Sequence, residues 1–151
     1  MKVYTGKTLE DALKTASEDL GLPETEIVYI EQAKKVGIFN KKVAIDVYEL
    51  TDIIRYAEDY VLNAIDALGI ESTLKTKLDD DIIRITIDST HNPILIGKNG
   101  QTLMAIQTIL RQQVYNQINS YPHILLDVEN YKEKKISHLE RNAKRIAREV
   151  L

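Results

Sequence analysis

Apolar residues first recur at helical spacing at Leu9, Ala12, Leu13, Ala16 and Leu20, directly after VYTG (3–6), a short strand-like stretch. Thr8 supplies an N-cap with Asp11 three residues on, a capping-box pattern, and Gly21 with Pro23 marks the stop. The period then falls to two. EIVYIEQ (26–32) and KVAIDVYEL (42–50) read as strands, with Val43, Ile45 and Val47 alternating in the second. Residues 1–50 therefore predict a small β-α-β-β unit. Between its last strands lies AKKVGIFNKK, a hairpin loop with Ile38 and Phe39 at the tip and lysines on either side. Phe39 either folds back onto the small sheet or forms an exposed apolar tip, suited to a protein partner or a membrane surface.

At Thr51 the pattern changes with almost no linker. Ile54, Ala57, Val61, Ala64, Ile65 and Leu68 make a helical stripe that Gly69 closes. STLKTKL (72–78) and IIRITID (82–88) read as two strands around an acidic turn, with Ile83, Ile85 and Ile87 on one face. HNPILI follows as a short apolar turn, then a glycine loop. A helix runs from Gln101 to about residue 119 with Leu103, Ile106, Leu110, Val114 and Ile118 inward. SYP breaks it, and HILLDV (123–128) is a last strand. One sheet with helices on a single face buries all these stripes, an α+β arrangement over residues 51–128. Residues 129–151 predict an amphipathic helix with Ile136, Leu139, Ala143, Ile146 and Val150 on one side; its apolar face is still running at Leu151, which reads as the first helix of a further domain.

Charge refines this picture more than composition does. The net charge is −3, but residues 1–50 carry 7 basic and 9 acidic side chains, residues 51–128 carry 6 and 10, and residues 129–151 carry 7 and 4. Only the tail is net positive, so any nucleic-acid contact in the middle must come from local geometry. The absence of cysteine excludes a disulfide framework, thiolate metal sites and thiol chemistry. No apolar run approaches the roughly 20 residues that span a bilayer, and the first residues lack a signal peptide's apolar centre, so a cytoplasmic protein is expected.

The candidate chemistry sits in ILIGKNGQTLMAI, Ile94 to Ile106. Gly97-Lys98-Asn99-Gly100 has the wrong spacing for a Walker-type P-loop and lacks the first glycine of a dinucleotide fingerprint. It fits the G-x-x-G loop of a KH domain, which clamps about four nucleotides of single-stranded nucleic acid. Gly97 and Gly100 let the main chain turn sharply and a sugar–phosphate backbone come close. Gly100 opens the long helix, whose unpaired N–H groups and positive dipole end favour a phosphate oxygen. Lys98 supplies charge, Asn99 hydrogen bonds and tolerance of a left-handed conformation, and Gln101 and Thr102 further polar contacts. Ile94, Ile96 and Ile106 are placed to line a groove against which bases stack. The order helix–strand–strand–helix–helix–strand around this loop is that of the type II KH fold. An elbow without a ligand is the competing reading, favoured by the acidic balance of residues 51–128.

The whole chain resembles the bacterial Jag (SpoIIIJ-associated, KhpB) family. Residues 1–50 are similar to its Jag-N domain, whose lysine-rich loop is here Lys34-Lys35-Val36-Gly37-Ile38-Phe39-Asn40. The usual family loop has lysine before the first glycine and a second glycine at its end, where this sequence has Val36 and Asn40. IGKNGQTLMAIQTIL is the most specific match to the family's KH domain. Residues 127–151 resemble the link into a C-terminal nucleic-acid domain named for an R-x-x-x-H motif. The resemblance implies a single-stranded RNA-binding, post-transcriptional regulator linked to bacterial cell elongation and division. It also implies pairing with a KhpA-like small KH protein or as a homodimer, and association with a membrane insertase or cell-wall machinery through the N-terminal domain.

Catalysis is not expected, and neither a cofactor nor a metal is implied. His91, His123 and His138 show no ligand spacing, and Asp79-Asp80-Asp81 is not followed by a calcium-loop pattern. The rival function is a protein–protein adaptor, in which Lys34, Lys35, Gly37, Ile38 and Phe39 dock a membrane-associated partner and the KH fold dimerises.

Overall fold

The computed structural model describes residues 1–33, 42–129 and 131–150, with backbone alone at 132–136 and 150. The fold is α+β, and it divides into two compact units: residues 1–57 with 112–121, and residues 58–111 with 122–151.

In the first unit, β1 (Lys2–Gly6), α1 (Leu9–Leu20), β2 (Val28–Glu31) and β3 (Val43–Tyr48) form the expected β-α-β-β arrangement. The sheet order is β1-β3-β2, both pairings antiparallel, with Tyr4 opposite Ile45 and Tyr29 opposite Val47. Thr8 caps α1 by accepting the Asp11 N–H at 3.2 Å, and Gly21 ends it in a left-handed conformation (φ 65°). Ala12 and Ala16 are fully buried against Ile27, Ile45 and Val47, with Leu9, Leu13 and Leu20 packed around them. Small residues at the centre of the α1 stripe bring the helix close to the sheet. The second strand starts later than its sequence suggests. Pro23 opens a 3-10 turn over Glu24–Glu26, and extended pairing begins only at Val28.

Then α2 (Leu50–Asp66), β4 (Ser72–Asp79), β5 (Ile82–Ser89), α3 (Asn92–Ile96), α4 (Gln101–Ile118) and β6 (His123–Val128) reproduce the α-β-β-α-α-β order of a type II KH fold. The second sheet runs β4-β5-β6, antiparallel then parallel. Ile83, Ile85 and Ile87 of β5 and Ile124, Leu126 and Val128 of β6 are buried, as the alternation demands. The buried line of α2 is Ile53, Ala57, Val61 and Ile65; it shares Ala57, Val61 and Ile65 with the sequence stripe, while Ile54 and Ala64 are half-buried and Ile53 takes the first position. Leu68 is 59% exposed because the helix ends at Asp66 and cannot carry the stripe further. The segment read as an apolar turn before the glycine loop is the short helix α3. On α4, Leu103, Leu110, Val114 and Ile118 are buried while Ile106 is half-buried. The long helix α5 (Tyr131–Val150) follows β6. Among the described residues no helix is long and apolar enough to cross a membrane.

Candidate nucleic-acid interface

The loop is set by hydrogen bonds on the β5 side and by two turns on the α4 side. Asn92 Oδ1 accepts both the backbone N–H and the hydroxyl of Ser89, at 2.8 and 2.7 Å, which holds the chain as it leaves the sheet. Pro93 lies in the first turn of α3, where its missing N–H costs nothing, and Leu95 is fully buried beneath that helix. The Gly97 N–H then bonds Pro93 C=O at 3.0 Å, and the Gly100 N–H bonds Gly97 C=O at 3.3 Å. Between them Asn99 takes a left-handed conformation (φ 55°, ψ 25°), as its short polar side chain permits.

Both glycines are required by the fold itself. Gly97 sits at φ 71° and ψ −176°, a region closed to residues with a β-carbon, and Thr102 occupies the space such a carbon would need. Gly100 sits at φ 77°, and a β-carbon there would meet Cε1 of Tyr131 at 3.1 Å. The bare flank of Gly100, which the sequence reserves for a close phosphate, faces this chain's own aromatic ring. Gly100 is buried and Gly97 half-buried. Thr102, read as a polar contact, points back under the loop at Gly97.

Lys98, Asn99 and Gln101 remain exposed, gathered at the N-terminus of the 18-residue helix α4. An ammonium, an amide and the positive end of a helix dipole converge there, a combination suited to an anionic backbone. The apolar surroundings extend beyond the three isoleucines named from the sequence. Ile94 is 57% exposed, Ile96 and Ile106 are half-buried, and Met104 on α4 is 63% exposed. Neither Met104 nor Tyr131 is singled out by the motif. Met104 lies one helical turn past Gly100, which the period reveals; the placement of Tyr131 depends on the turn after β6.

Two α4 side chains secure the base of the site. Gln107 Oε1 accepts the Leu126 N–H at 2.9 Å, and Arg111 donates through Nε and Nη2 to Ile124 C=O at 3.1 and 3.0 Å. These bonds fall on β6, the edge strand, and tie α4 to it.

Of the other sequence-derived residues, Lys34, Lys35, Gly37, Ile38 and Phe39 lie outside the described residues. The acidic turn is a hairpin in which Asp80 is left-handed (φ 53°), Arg84 pairs with Asp79 at 3.0 Å and His123 lies 3.3 Å from Asp81. Among the described residues no three His, Asp or Glu side chains gather as a metal site.

Comparison with known proteins agrees with this architecture. The family model for the Jag N-terminus matches residues 4–49, and that for the KH domain matches residues 67–136. RNA-binding protein KhpB of Bacillus subtilis is 31% identical over 151 residues, covering 97% of this chain and 73% of its own. The protein of the same name from Clostridium symbiosum is 27% identical, covering 99% of this chain and 70% of its own. That from Lactiplantibacillus plantarum is 31% identical over 98 residues, 65% of this chain and 30% of its own. With its two family domains in this order and a relative matched along nearly its whole length, the chain belongs to the Jag (KhpB) family.

Proposed function

We propose that this chain binds single-stranded RNA, with the G-x-x-G loop as the clamp on the sugar–phosphate backbone. The observation that carries the reading is the exposed Lys98-Asn99 tip standing at the N-terminus of α4. The Lys98 ammonium meets one phosphate as a point charge, the amides opening α4 meet its oxygens, and the Asn99 and Gln101 side chains supply hydrogen bonds to sugar or base. Ile94 and Met104 flank the path as apolar surface for unstacked bases. The relatives' printed name, RNA-binding protein, supports the same class of ligand. With ten acidic and six basic side chains in residues 51–128, binding by this segment is weak and salt-sensitive. Loop and helix amides serve this role without a cofactor or catalytic group. A regulatory role in cell elongation and division, and pairing with a KhpA-like partner, rest on the family resemblance alone.

The test is fluorescence anisotropy of a labelled single-stranded RNA at low salt. Replacing Lys98 and Asn99 by aspartate changes only exposed side chains and is expected to weaken binding at least about tenfold, leaving the circular dichroism spectrum unchanged. Full binding by that variant overturns the loop assignment.

A further inference from the structure

Tyr131 does more than fill the flank of Gly100. It is the first residue of α5, placed by the turn after β6, in which Glu129 is left-handed (φ 43°) and its N–H bonds Ile87 C=O at 3.1 Å. Its ring lies against the glycine that opens α4, so the azimuth at which α5 meets the loop is fixed. At 3.6 residues per turn, His138 and Arg145 fall within about 40° of that azimuth, and Arg141 and Arg148 within about 100° on the same side. All four side chains are exposed. Leu139, Ala143 and Ile146 lie on another face of the helix. The face these residues form thus begins at His138, about 10 Å along the helix from Tyr131, and runs roughly 15 Å further to Arg148. Glu149 near its far end reaches Arg145 at 3.9 Å, and Asn142 contacts His138 at 3.2 Å.

We propose that the nucleic-acid interface continues from the loop over Tyr131 onto this face of α5, which acts as a track for a single-stranded sugar–phosphate backbone. The inference rests on the RNA-binding reading of the loop and extends it. The half-buried Tyr131 ring offers a stacking surface where the strand leaves the four-nucleotide clamp. Beyond it, Arg141, Arg145 and Arg148 pair with successive phosphates, as arginine forks are suited to do. Charge points the same way: residues 129–151 carry seven basic and four acidic side chains, whereas the loop's own segment is net acidic. A polyanion held at Lys98 is therefore drawn along α5 rather than across the sheet.

The experiment compares oligouridines of four and twelve nucleotides on the full chain, the Lys98→Asp/Asn99→Asp variant, and an Arg141→Gln/Arg145→Gln/Arg148→Gln variant. Glutamine keeps helix propensity close to arginine's. The wild-type chain is expected to prefer the longer oligomer by more than the about ninefold gain from the ways a four-nucleotide footprint fits on twelve. The triple variant loses that excess, binds the short oligomer within about twofold of wild type, and shows a salt slope on the long one lower by about two, since three phosphate contacts are removed at about 0.7 each. Tyr131→Leu, which keeps apolar packing on Gly100, weakens the long oligomer about fivefold or more. A triple variant that binds twelve nucleotides like wild type overturns the track while leaving the loop standing. Loss on the triple variant with no effect of the loop variant overturns the loop and, with it, the continuous interface. No binding of either oligomer overturns both.

Discussion

Thr102 stands where a side chain on Gly97 would have to go. A β-carbon built on Gly97 falls 2.8 Å from Thr102 Cβ and 3.0 Å from its backbone nitrogen, and nearer still to Oγ1. Since φ is also 71° and ψ −176°, Gly97→Ala is strained twice over and is expected to lose about 2–3 kcal/mol of stability, read from urea unfolding. Adding Thr102→Ala removes the hydroxyl clash alone, so it restores only part of that loss. A Gly97→Ala chain as stable as wild type contradicts the loop geometry.

Gly100→Ala separates strain from crowding. The conformation at φ 77° is again unfavourable, but the neighbour at 3.1 Å is the edge of the Tyr131 ring, a side chain rather than backbone. The expected cost is about 1–2 kcal/mol, smaller than at Gly97. The same unfolding experiment ranks the two, and the reverse order shows Tyr131 to be the more rigid neighbour. Because both glycines answer to the fold, weakened RNA binding in either variant does not identify a phosphate contact. The exposed Lys98-Asn99 pair does.

The parts of the fold legible in the sequence are those whose cause is local. Alternation at Ile83, Ile85 and Ile87 produced a strand buried on one face, and Thr8 with Asp11 produced the cap on α1. The I-G-x-x-G-x-x-L spacing located the loop, its left-handed asparagine and the start of α4. What escaped depends on contacts distant in sequence. No motif or periodicity marks Gln107 and Arg111, yet they bond an edge strand 19 and 13 residues further on. Thr102 reads as a polar contact because it follows the loop, and nothing in the sequence signals that its side chain lies beside Gly97. No periodicity announces that Tyr131 will meet Gly100. Along α2 the sequence stripe and the buried line share Ala57, Val61 and Ile65, and Ile53 replaces Ile54 because two adjacent isoleucines satisfy the stripe equally well until the packing chooses between them.

The Gln107 bond carries its own prediction. Truncating it in Gln107→Ala leaves the part-buried Leu126 N–H without that acceptor, a loss of about 1–2 kcal/mol. The variant also uncovers part of the β6 edge, and exposed edges invite pairing with other chains. Sedimentation velocity is expected to show more self-association than wild type at equal concentration. An unchanged unfolding midpoint together with an unchanged sedimentation profile counts against the edge-covering role.

At the start of α1, Thr8→Ala removes the acceptor for the Asp11 N–H and is expected to cost about 1 kcal/mol. Thr15→Ala is the control: its hydroxyl donates to Asp11 C=O within the helix at 2.8 Å and caps nothing. Urea midpoints of the two variants should differ clearly, and equal midpoints would remove the cap from the account of this unit.

Asp52 makes the stability of the first unit depend on acid. Its Oδ1 lies 2.7 Å from the Met1 amine, and its Oδ2 accepts the Glu49 N–H at 2.9 Å, the bond back to the preceding turn that a carboxylate three residues on makes in a capping box. The terminal amine first, then the Glu49 N–H, hold the carboxyl below its ordinary value. A depressed folded-state pKa stabilises the fold above the unfolded value of about 3.9, and the contribution is lost as pH falls through the folded value. Asp52→Asn keeps the shape and an acceptor but removes the charge. Its melting temperature is therefore expected to fall below wild type at pH 6, with the gap closing as pH drops toward 2. Acetylating the amine removes the larger cause, so the acetylated chain and its Asp52→Asn form should differ much less at pH 6. A gap that stays constant from pH 6 to pH 2 would place the effect of the substitution in packing rather than charge.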